Sequence, residues 1–210
     1  MLKILEQIGS YKLVPVIVIE NKEDAVPLAG ALIDGGLPVA EVTFRTKAAQ
    51  ESIKLISAKY PDMLIGAGTV LNIDQVKAAI DAGSKYIVSP GLNPKVVEYC
   101  VSNNIPITPG IATPSEIERA LEFNLEVVKF FPAESLGGIK YLKAISAPYG
   151  NLKFIPTGGI DENNLLMYLQ FAKVLACGGS WMVKAELISK KQFEIITKLT
   201  ADALSVVRMT

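Results

Sequence analysis

The 210-residue sequence contains no histidine, which excludes several of the commonest catalytic and metal-binding sites. Without an imidazole, the chain cannot form a Ser-His-Asp or Cys-His catalytic arrangement. It also cannot form the histidine-containing zinc sites of many hydrolases, deaminases and metal-dependent aldolases. Any catalysis near neutral pH must therefore depend on lysine, carboxylate, tyrosine or cysteine side chains, or on a cofactor.

Net charge and cysteine are also scarce. The 21 Lys and Arg residues balance the 21 Asp and Glu residues, which argues against a nucleic-acid or anionic-membrane partner because such binding needs basic patches. The two cysteines, Cys100 and Cys177, lie far apart in apolar segments, which indicates buried, reduced thiols in a cytoplasmic protein. The N-terminus lacks the pattern of a signal peptide, and no apolar run approaches membrane-spanning length.

What the sequence does contain is a series of eight short apolar runs with stretches of helical periodicity between them. The runs are Pro15–Ile19, Val39–Phe44, Leu64–Ala67, Tyr86–Val88, Pro106–Thr108, Val127–Phe131, Phe154–Pro156 and Val174–Cys177. Alternating strands and helices indicate βα units and a parallel sheet. We predict one α/β domain over residues 1–210, folded as a (β/α)8 TIM barrel. An open doubly wound sheet is the alternative, although eight strands are many for that fold at this length.

Helix-start signals support the alternation. Thr113 is followed by Pro114 and, three residues after itself, by Glu116, which is the pattern of a capping box with proline at the first helical position. Asn72 and Asn93 are further candidate N-caps.

The second run carries charged residues where a strand should be buried. Period-two alternation places Glu41, Thr43 and Arg45 on one face, so that Glu41 and Arg45 should point towards the barrel axis. A structural ion pair is the alternative interpretation. We favour a functional role, because a carboxylate inside a barrel is costly without a partner and perturbed groups concentrate at functional sites.

The sixth run contains a lysine, Lys129, between two valines and two phenylalanines. Lysine is a poor strand residue and is rarely buried without a partner. Burial of an amine among apolar side chains favours its neutral form, which can attack a ketone and form a Schiff base. The alternative is a lysine that extends from a strand end to water. The lack of histidine and the presence of Glu41 favour the Schiff base.

The last two runs are followed by glycine pairs. Gly158 and Gly159 come directly after Thr157, and Gly179 precedes Ser180. Tight turns would explain such pairs. Glycine-rich loops after the last two strands of a barrel are also a common phosphate site. The residues together predict metal-free cleavage of a carbon–carbon bond in a phosphorylated keto compound through an imine.

In these segments the sequence resembles the class I 2-keto-3-deoxy-6-phosphogluconate (KDPG) and 4-hydroxy-2-oxoglutarate (KHG) aldolases. The matching segments are PVIVIE, AGALIDGGLPVAEVTFRT, IGAGTVLN, IVSPGLNP, ITPGIATPSE, VVKFFPAE, FIPTGGI and ACGGSWMV. They span nearly the whole chain in the family's order. The resemblance implies a cytoplasmic homotrimer of TIM barrels, without a cofactor, that acts in the Entner-Doudoroff pathway and cleaves KDPG to pyruvate and glyceraldehyde 3-phosphate.

The resemblance also implies roles for individual residues. Lys129 would form the Schiff base, and Glu41 would be the general acid/base, acting partly through a bound water. The remaining residues would bind the substrate. Arg45 and Thr69 would hold the pyruvate carboxylate, Pro90 and Phe131 would line the pocket, Thr157 would affect stereochemical preference, and Gly158, Gly159, Gly179 and Ser180 would bind the phosphate.

Three other functions stay open at the level of sequence. The substrate could be the galactonate epimer of KDPG, although Thr157 and the Gly-Gly-Ser-Trp sequence favour the gluconate compound. It could also be 4-hydroxy-2-oxoglutarate. The alternative from another functional class is a non-catalytic barrel that binds a sugar phosphate. Such a binding protein has no need of a buried amine beside a carboxylate.

Overall fold

The computed structural model describes residues 2–209, in which eight parallel strands alternate with helices. The strands are β1 Leu13–Ile17, β2 Val39–Thr43, β3 Leu64–Gly68, β4 Tyr86–Ser89, β5 Ile107–Ile111, β6 Val127–Phe130, β7 Lys153–Pro156 and β8 Cys177–Gly179. The helices are α1 Leu2–Tyr11, α2 Ala25–Asp34, α3 Ala49–Lys59, α4 Ile73–Asp81, α5 Pro94–Ser102, α6 Pro114–Glu122, α7 Gly138–Ser146, α8 Leu165–Leu169, α9 Ala185–Ser189 and α10 Phe193–Val207.

The strands form one sheet in the order β7-β6-β5-β4-β3-β2-β1-β8. Parallel bridges join Thr157 to Gly178 and Phe154 to Val174, so the two edges of the sheet meet and the barrel closes. This architecture confirms the predicted (β/α)8 barrel. The closure brings the ends of β6, β7, β8 and β1 next to one another, and these ends position most of the candidate site.

Every run predicted as a strand overlaps a strand, but the bounds differ, and they differ most at the first, fifth and last runs. The first strand is Leu13–Ile17 rather than Pro15–Ile19, and Pro15 lies within its ladder, paired with Gly179. The fifth is Ile107–Ile111 rather than Pro106–Thr108. The last is Cys177–Gly179 rather than Val174–Cys177. Helix α1 was not predicted; its Ile8 is buried beneath the strands, so α1 covers the amino-terminal end of the barrel.

Helix caps and cysteines agree with the sequence. Thr113 and Glu116 form the reciprocal capping box of α6, and the side chains of Asn72 and Asn93 cap α4 and α5. Cys100 and Cys177 are buried free thiols, as predicted. Within residues 2–209, no helix combines the length and the apolar character needed to cross a bilayer.

Candidate active site

Two oppositely charged side chains meet inside the barrel. Lys129 lies on β6 and Glu41 on β2, and the Lys129 Nζ donates to the Glu41 Oε1 at 3.2 Å. Their exposed fractions are only 6% and 4%. Because a buried charge is costly without a partner, each group stabilises the other in this position. The ring of Phe131 lies 5.2 Å from the lysine nitrogen.

Glycines provide the space that the carboxylate occupies. A Cβ at Gly68, the last residue of β3, would lie 2.1 Å from Glu41 Oε1, which is far inside van der Waals contact. Gly110 is the β5 partner of Lys129, and a Cβ there would lie 2.0 Å from the carbonyl oxygen of Pro90. Gly68 therefore leaves room for the Glu41 carboxylate, whereas Gly110 allows a close approach of the backbone at Pro90 beside Lys129.

A pocket of about 310 Å³ opens at the carboxyl ends of the strands. Its lining residues are Val16, Val18, Arg45, Phe131, Thr157, Gly158, Gly159, Ile160, Gly178, Gly179 and Ser180. Lys129 and Glu41 line a much smaller cavity, of about 10 Å³, deeper in the barrel. Gly178 lines both spaces, so the charged pair lies beneath the floor of the open pocket.

The loop after β7 turns its backbone into this pocket. Gly158 and Gly159 have φ angles of +99° and +79°, which glycine adopts without steric cost. The loop is held from behind, because the Ala133 N–H donates to the Thr157 carbonyl and the Glu134 N–H to the Gly158 carbonyl. Thr157 itself is buried. The arrangement supplies a rigid, glycine-rich wall.

The loop after β8 forms the adjoining wall. A Cβ at Gly179 would lie 2.0 Å from the ring of Trp181, so only glycine fits between the strand and this indole. Ser180 is exposed and precedes the short 3₁₀ turn Trp181–Val183. The exposed Ser180 hydroxyl, together with backbone N–H groups that face the pocket, can bind an anion at this edge of a barrel.

Arg45 and Thr69 meet at the other side of the pocket mouth. The Arg45 Nε donates to the Thr69 Oγ1 at 3.2 Å. Thr69 has a φ of +56°, which is strained for a β-branched residue, and such strain is found mainly at functional sites. Arg45 lies two residues beyond the end of β2 and is exposed, whereas Glu41 is deep in the barrel.

The structure therefore brings most of the sequence-predicted residues together. Lys129 and Glu41 form the buried pair, and seven of the predicted substrate-binding residues line the open pocket. Thr69 joins this group through Arg45. Pro90 does not line the open pocket; it lines a neighbouring depression with Val70, Leu71 and Leu92.

Four lining residues were missed by the sequence analysis: Val16, Val18, Ile160 and Gly178. Val16 and Val18 lie in a run that is apolar on both faces, so its alternation shows no contrast between the pocket side and the helix side. Ile160 and Gly178 adjoin the predicted glycine pairs, and their position in those motifs was the only available signal.

Two buried groups near the site are held in their neutral forms. Burial, and secondarily the charge of Glu41, raise the pKa of the Tyr86 phenol well above its usual value. Burial also raises the pKa of the Cys177 thiol, which argues against a thiolate nucleophile. Among residues 2–209, no three Cys, Asp or Glu side chains are arranged to hold a metal ion.

Comparison with known proteins identifies the family. The model of the KDPG and KHG aldolase family matches residues 4–199. The 2-dehydro-3-deoxy-phosphogluconate aldolase of Treponema pallidum (strain Nichols) is 50% identical over 207 residues, which cover 99% of each chain. Two crystal structures are similarly close in fold.

One is the KDPG aldolase of Legionella pneumophila, with pyruvate captured as a covalent carbinolamine intermediate. Its TM-score is 0.92 at 40% identity, and the match covers 95% of this chain and 97% of the Legionella chain. The other is the 2-keto-3-deoxy-6-phosphogluconate aldolase of Zymomonas mobilis ZM4 with 3-phosphoglycerate, with a TM-score of 0.89 at 38% identity, covering 95% and 94%. This chain belongs to the KDPG and KHG aldolase family.

Proposed function

We propose that this protein is a Schiff-base aldolase that cleaves 2-dehydro-3-deoxy-6-phosphogluconate to pyruvate and glyceraldehyde 3-phosphate. The observation that carries the proposal is the buried contact of 3.2 Å between Lys129 Nζ and Glu41 Oε1, beneath a pocket with glycine-rich walls. The covalent carbinolamine of the Legionella relative supports the same chemistry.

The first stage is imine formation. The neutral Lys129 amine attacks the C2 carbonyl and forms a carbinolamine, which loses water to give the imine. The lysine must give up protons on this path, and the Glu41 carboxylate is close enough to accept one. The protonated imine then withdraws electrons from C3.

The second stage is cleavage. Removal of the proton from the C4 hydroxyl drives the electrons of the C3–C4 bond into the imine, which releases the aldehyde and leaves an enamine. Protonation of the enamine at C3 and hydrolysis of the imine release pyruvate and free Lys129. Glu41 moves these protons, acting partly through a water molecule.

The remaining polar groups bind the two ends of the substrate. The Arg45 guanidinium and the Thr69 hydroxyl hold the carboxylate, because a guanidinium matches a carboxylate in charge and shape. Phe131 encloses the pyruvate part from the open pocket. From the resemblance we infer the same role for Pro90, which lies outside that pocket but whose carbonyl contacts Gly110, the strand partner of Lys129. Gly158, Gly159, Gly179 and Ser180 bind the phosphate through backbone N–H groups and a hydroxyl. Thr157, between the two regions, affects the stereochemical preference at the new carbon centre.

A second activity, cleavage of 4-hydroxy-2-oxoglutarate to pyruvate and glyoxylate, is favoured by the family's description. It needs the same lysine and carboxylate but no phosphate loops, so the loops support KDPG as the main substrate over this compound. The galactonate epimer is the remaining competitor. From the resemblance we also infer a single domain over residues 1–210, a cytoplasmic location, a homotrimer and no cofactor.

Trapping with borohydride in the presence of pyruvate tests the proposal. We expect reduction to leave a covalent adduct on Lys129, identified by peptide mass analysis, and Lys129→Ala to lose both the adduct and cleavage. Lys85→Ala, at an exposed position just before β4, is the matched control and should keep both. Activity should survive EDTA. An unlabelled Lys129 in protein that still cleaves KDPG would contradict the mechanism.

Glu41→Gln separates the two stages. We expect cleavage to fall by about 10²–10⁴-fold, the usual contribution of a general acid/base, while some imine formation survives. Near-wild-type cleavage would remove Glu41 from its proposed role. Kinetics with KDPG, its galactonate epimer and 4-hydroxy-2-oxoglutarate, measured side by side, would rank the three substrates.

A further inference from the structure

Tyr86 lies beside the charged pair although neither its position nor its type suggested a role. It is the first residue of β4, and its side chain lies inside the barrel with an exposed fraction of 2%. The strand register places it in one row with the carboxylate, since Glu41 pairs with Gly66 and Gly66 pairs with Tyr86. Only a glycine separates the two residues across the sheet.

The phenol ring crosses over that glycine. A Cβ at Gly66 would lie 2.2 Å from two carbons of the Tyr86 ring, so the ring occupies the space that any other residue would fill. The ring therefore reaches from β4 past β3 to β2. There its hydroxyl donates to the carbonyl oxygen of Ala40 at 3.0 Å.

This hydrogen bond acts on the backbone directly before Glu41. Ala40 is fully buried and precedes Glu41 in β2, and Gly68 on β3 leaves room for the Glu41 carboxylate on the same side. The bond thus ties the peptide group between Ala40 and Glu41 to a third strand. Small shifts in the placement of a reacting group can change a rate strongly, so this restraint matters for proton transfer.

Tyr86 also shares a cavity with both charged groups. Tyr86, Glu41, Lys129 and Thr108 are among the residues lining the deep space of about 10 Å³, which is about the volume that one water molecule needs. Burial and the Glu41 charge raise the pKa of the phenol, so its hydroxyl stays protonated and able to donate throughout the neutral range.

We propose that Tyr86 is a positioning residue for Glu41. From β4 its hydroxyl restrains the Ala40 carbonyl, and its ring fills the space over Gly66. This inference rests on the proposed function, because it requires Glu41 to move the proton at C3 of the bound enamine. Tyr86 does not touch the reacting atoms. Its loss should therefore slow the proton transfer without preventing Lys129 from forming the imine.

Tyr86→Phe tests this separation, because it keeps the ring over Gly66 and removes only the hydroxyl. Two rates are compared: exchange of the pyruvate methyl protons in D₂O, followed by NMR, and borohydride trapping on Lys129. We expect exchange per trapped site to fall by about ten-fold, as a small misplacement of a catalytic group would cause, with trapping within about two-fold of wild type.

Tyr141→Phe is the matched control. The Tyr141 hydroxyl donates to the Ala112 carbonyl at 2.9 Å, so this variant loses the same kind of bond outside the site. Its exchange per trapped site should equal that of the wild type. Expressing exchange per trapped site counts only protein that has folded, so the comparison also holds if Tyr86→Phe lowers the yield of folded protein.

The outcomes distinguish the inference from the function on which it rests. Wild-type protein that neither traps pyruvate nor exchanges its protons contradicts the proposed function and with it the role of Tyr86. If the wild type does both, and the ratio for Tyr86→Phe matches that for Tyr141→Phe, the inference alone is overturned. A parallel loss of trapping and exchange gives the same ratio and likewise overturns it.

Discussion

Three glycines in the barrel show that positions without a side chain shape the proposed site as much as the side chains do. Gly66 admits the Tyr86 ring, Gly68 admits the Glu41 carboxylate, and Gly178 admits the Thr157 hydroxyl, whose oxygen lies 2.4 Å from where a Cβ would be. A methyl group at any of these positions would overlap atoms of the proposed site. Each glycine therefore defines the shape of the site by leaving volume free.

Gly68→Ala should consequently impair catalysis. The new methyl would overlap Oε1, Cδ and Cγ of Glu41, so the carboxylate must move away from its contact with Lys129. We expect turnover to fall by about 10²-fold, the cost of misplacing a catalytic group by about 1 Å. Gly150→Ala is the control, since nothing lies within 4 Å of its added Cβ. Steady-state kinetics showing Gly68→Ala within three-fold of that control would contradict this account.

A site residue could be predicted from the sequence when its chemical type differed from that of its neighbours, and it was missed when it resembled them. Lys129 and Glu41 could be predicted because charged residues stand out in strands that are otherwise apolar. Val16 and Tyr86 could not, because an apolar or aromatic residue in a buried strand fits the core equally well. Whether the Tyr86 hydroxyl meets a backbone carbonyl depends on the register of three strands, which no local pattern encodes.

At the scale of elements, the sequence predicts a strand best where its apolar run coincides with its ladder. Runs two, three, four, six and seven meet this condition to within one residue at either end. The fifth does not, because its strand continues beyond the apolar run through Pro109 and Gly110 to Ile111. The last strand does not, because Gly178 and Gly179 are poor strand residues that are needed there for close contacts with Thr157 and Trp181.

The capping box of α6 provides an element-scale prediction. Thr113 accepts from the Glu116 N–H at 3.4 Å, and the Glu116 carboxylate accepts from the backbone N–H groups of Ala112 and Thr113 at 2.8 and 2.9 Å. Thr113→Ala should lower the free energy of unfolding by about 1 kcal/mol, the usual value of an N-cap side chain, with turnover within about two-fold of wild type.

Urea unfolding checks this expectation, with Ser115→Ala as the control because Ser115 is an exposed residue in the first turn of the same helix. The control should change the unfolding free energy by less than about 0.5 kcal/mol. Equal unfolding curves for the two variants would show that the box adds nothing to the stability of the barrel.

At the scale of the whole molecule, barrel closure assembles the site from distant parts of the sequence. Glu41 and Lys129 are 88 positions apart, and the pocket walls come from the two ends of the chain's strand series, β1 and β7–β8. A sequence with eight βα units predicts this convergence, because the carboxyl ends of the strands form one rim. It does not predict the distances, which depend on register and packing.

The lack of histidine also shapes how the stability of the whole molecule depends on pH. No imidazole changes charge between pH 5 and 8, so the free energy of unfolding should be nearly constant from about pH 6 to about pH 8. Above about pH 8, buried thiol and phenol groups determine how the free energy of unfolding depends on pH. Burial raises the pKa of Cys100 to about 12, and it raises the pKa of Cys177 and of Tyr86 as well.

Each of these groups binds its proton more tightly in the folded state than in the unfolded state. Their stabilising contribution is therefore complete below the unfolded pKa, about 8.5 for a thiol and about 10 for a phenol, and is lost as the pH rises towards the folded pKa. Stability should decline from about pH 9, with a slope of at most about 1.4 kcal/mol per pH unit for each group.

Cys100→Ala isolates one of these contributions. The variant should be less stable at pH 7, because a fully buried side chain loses contacts, but its unfolding free energy should fall less steeply than that of the wild type between about pH 9 and pH 12. Val101→Ala, on the same helix, should lower the whole curve without changing its slope, since valine does not titrate. Urea unfolding at a series of pH values distinguishes the two, and a Cys100→Ala curve parallel to the wild type would contradict the role assigned to the buried thiol.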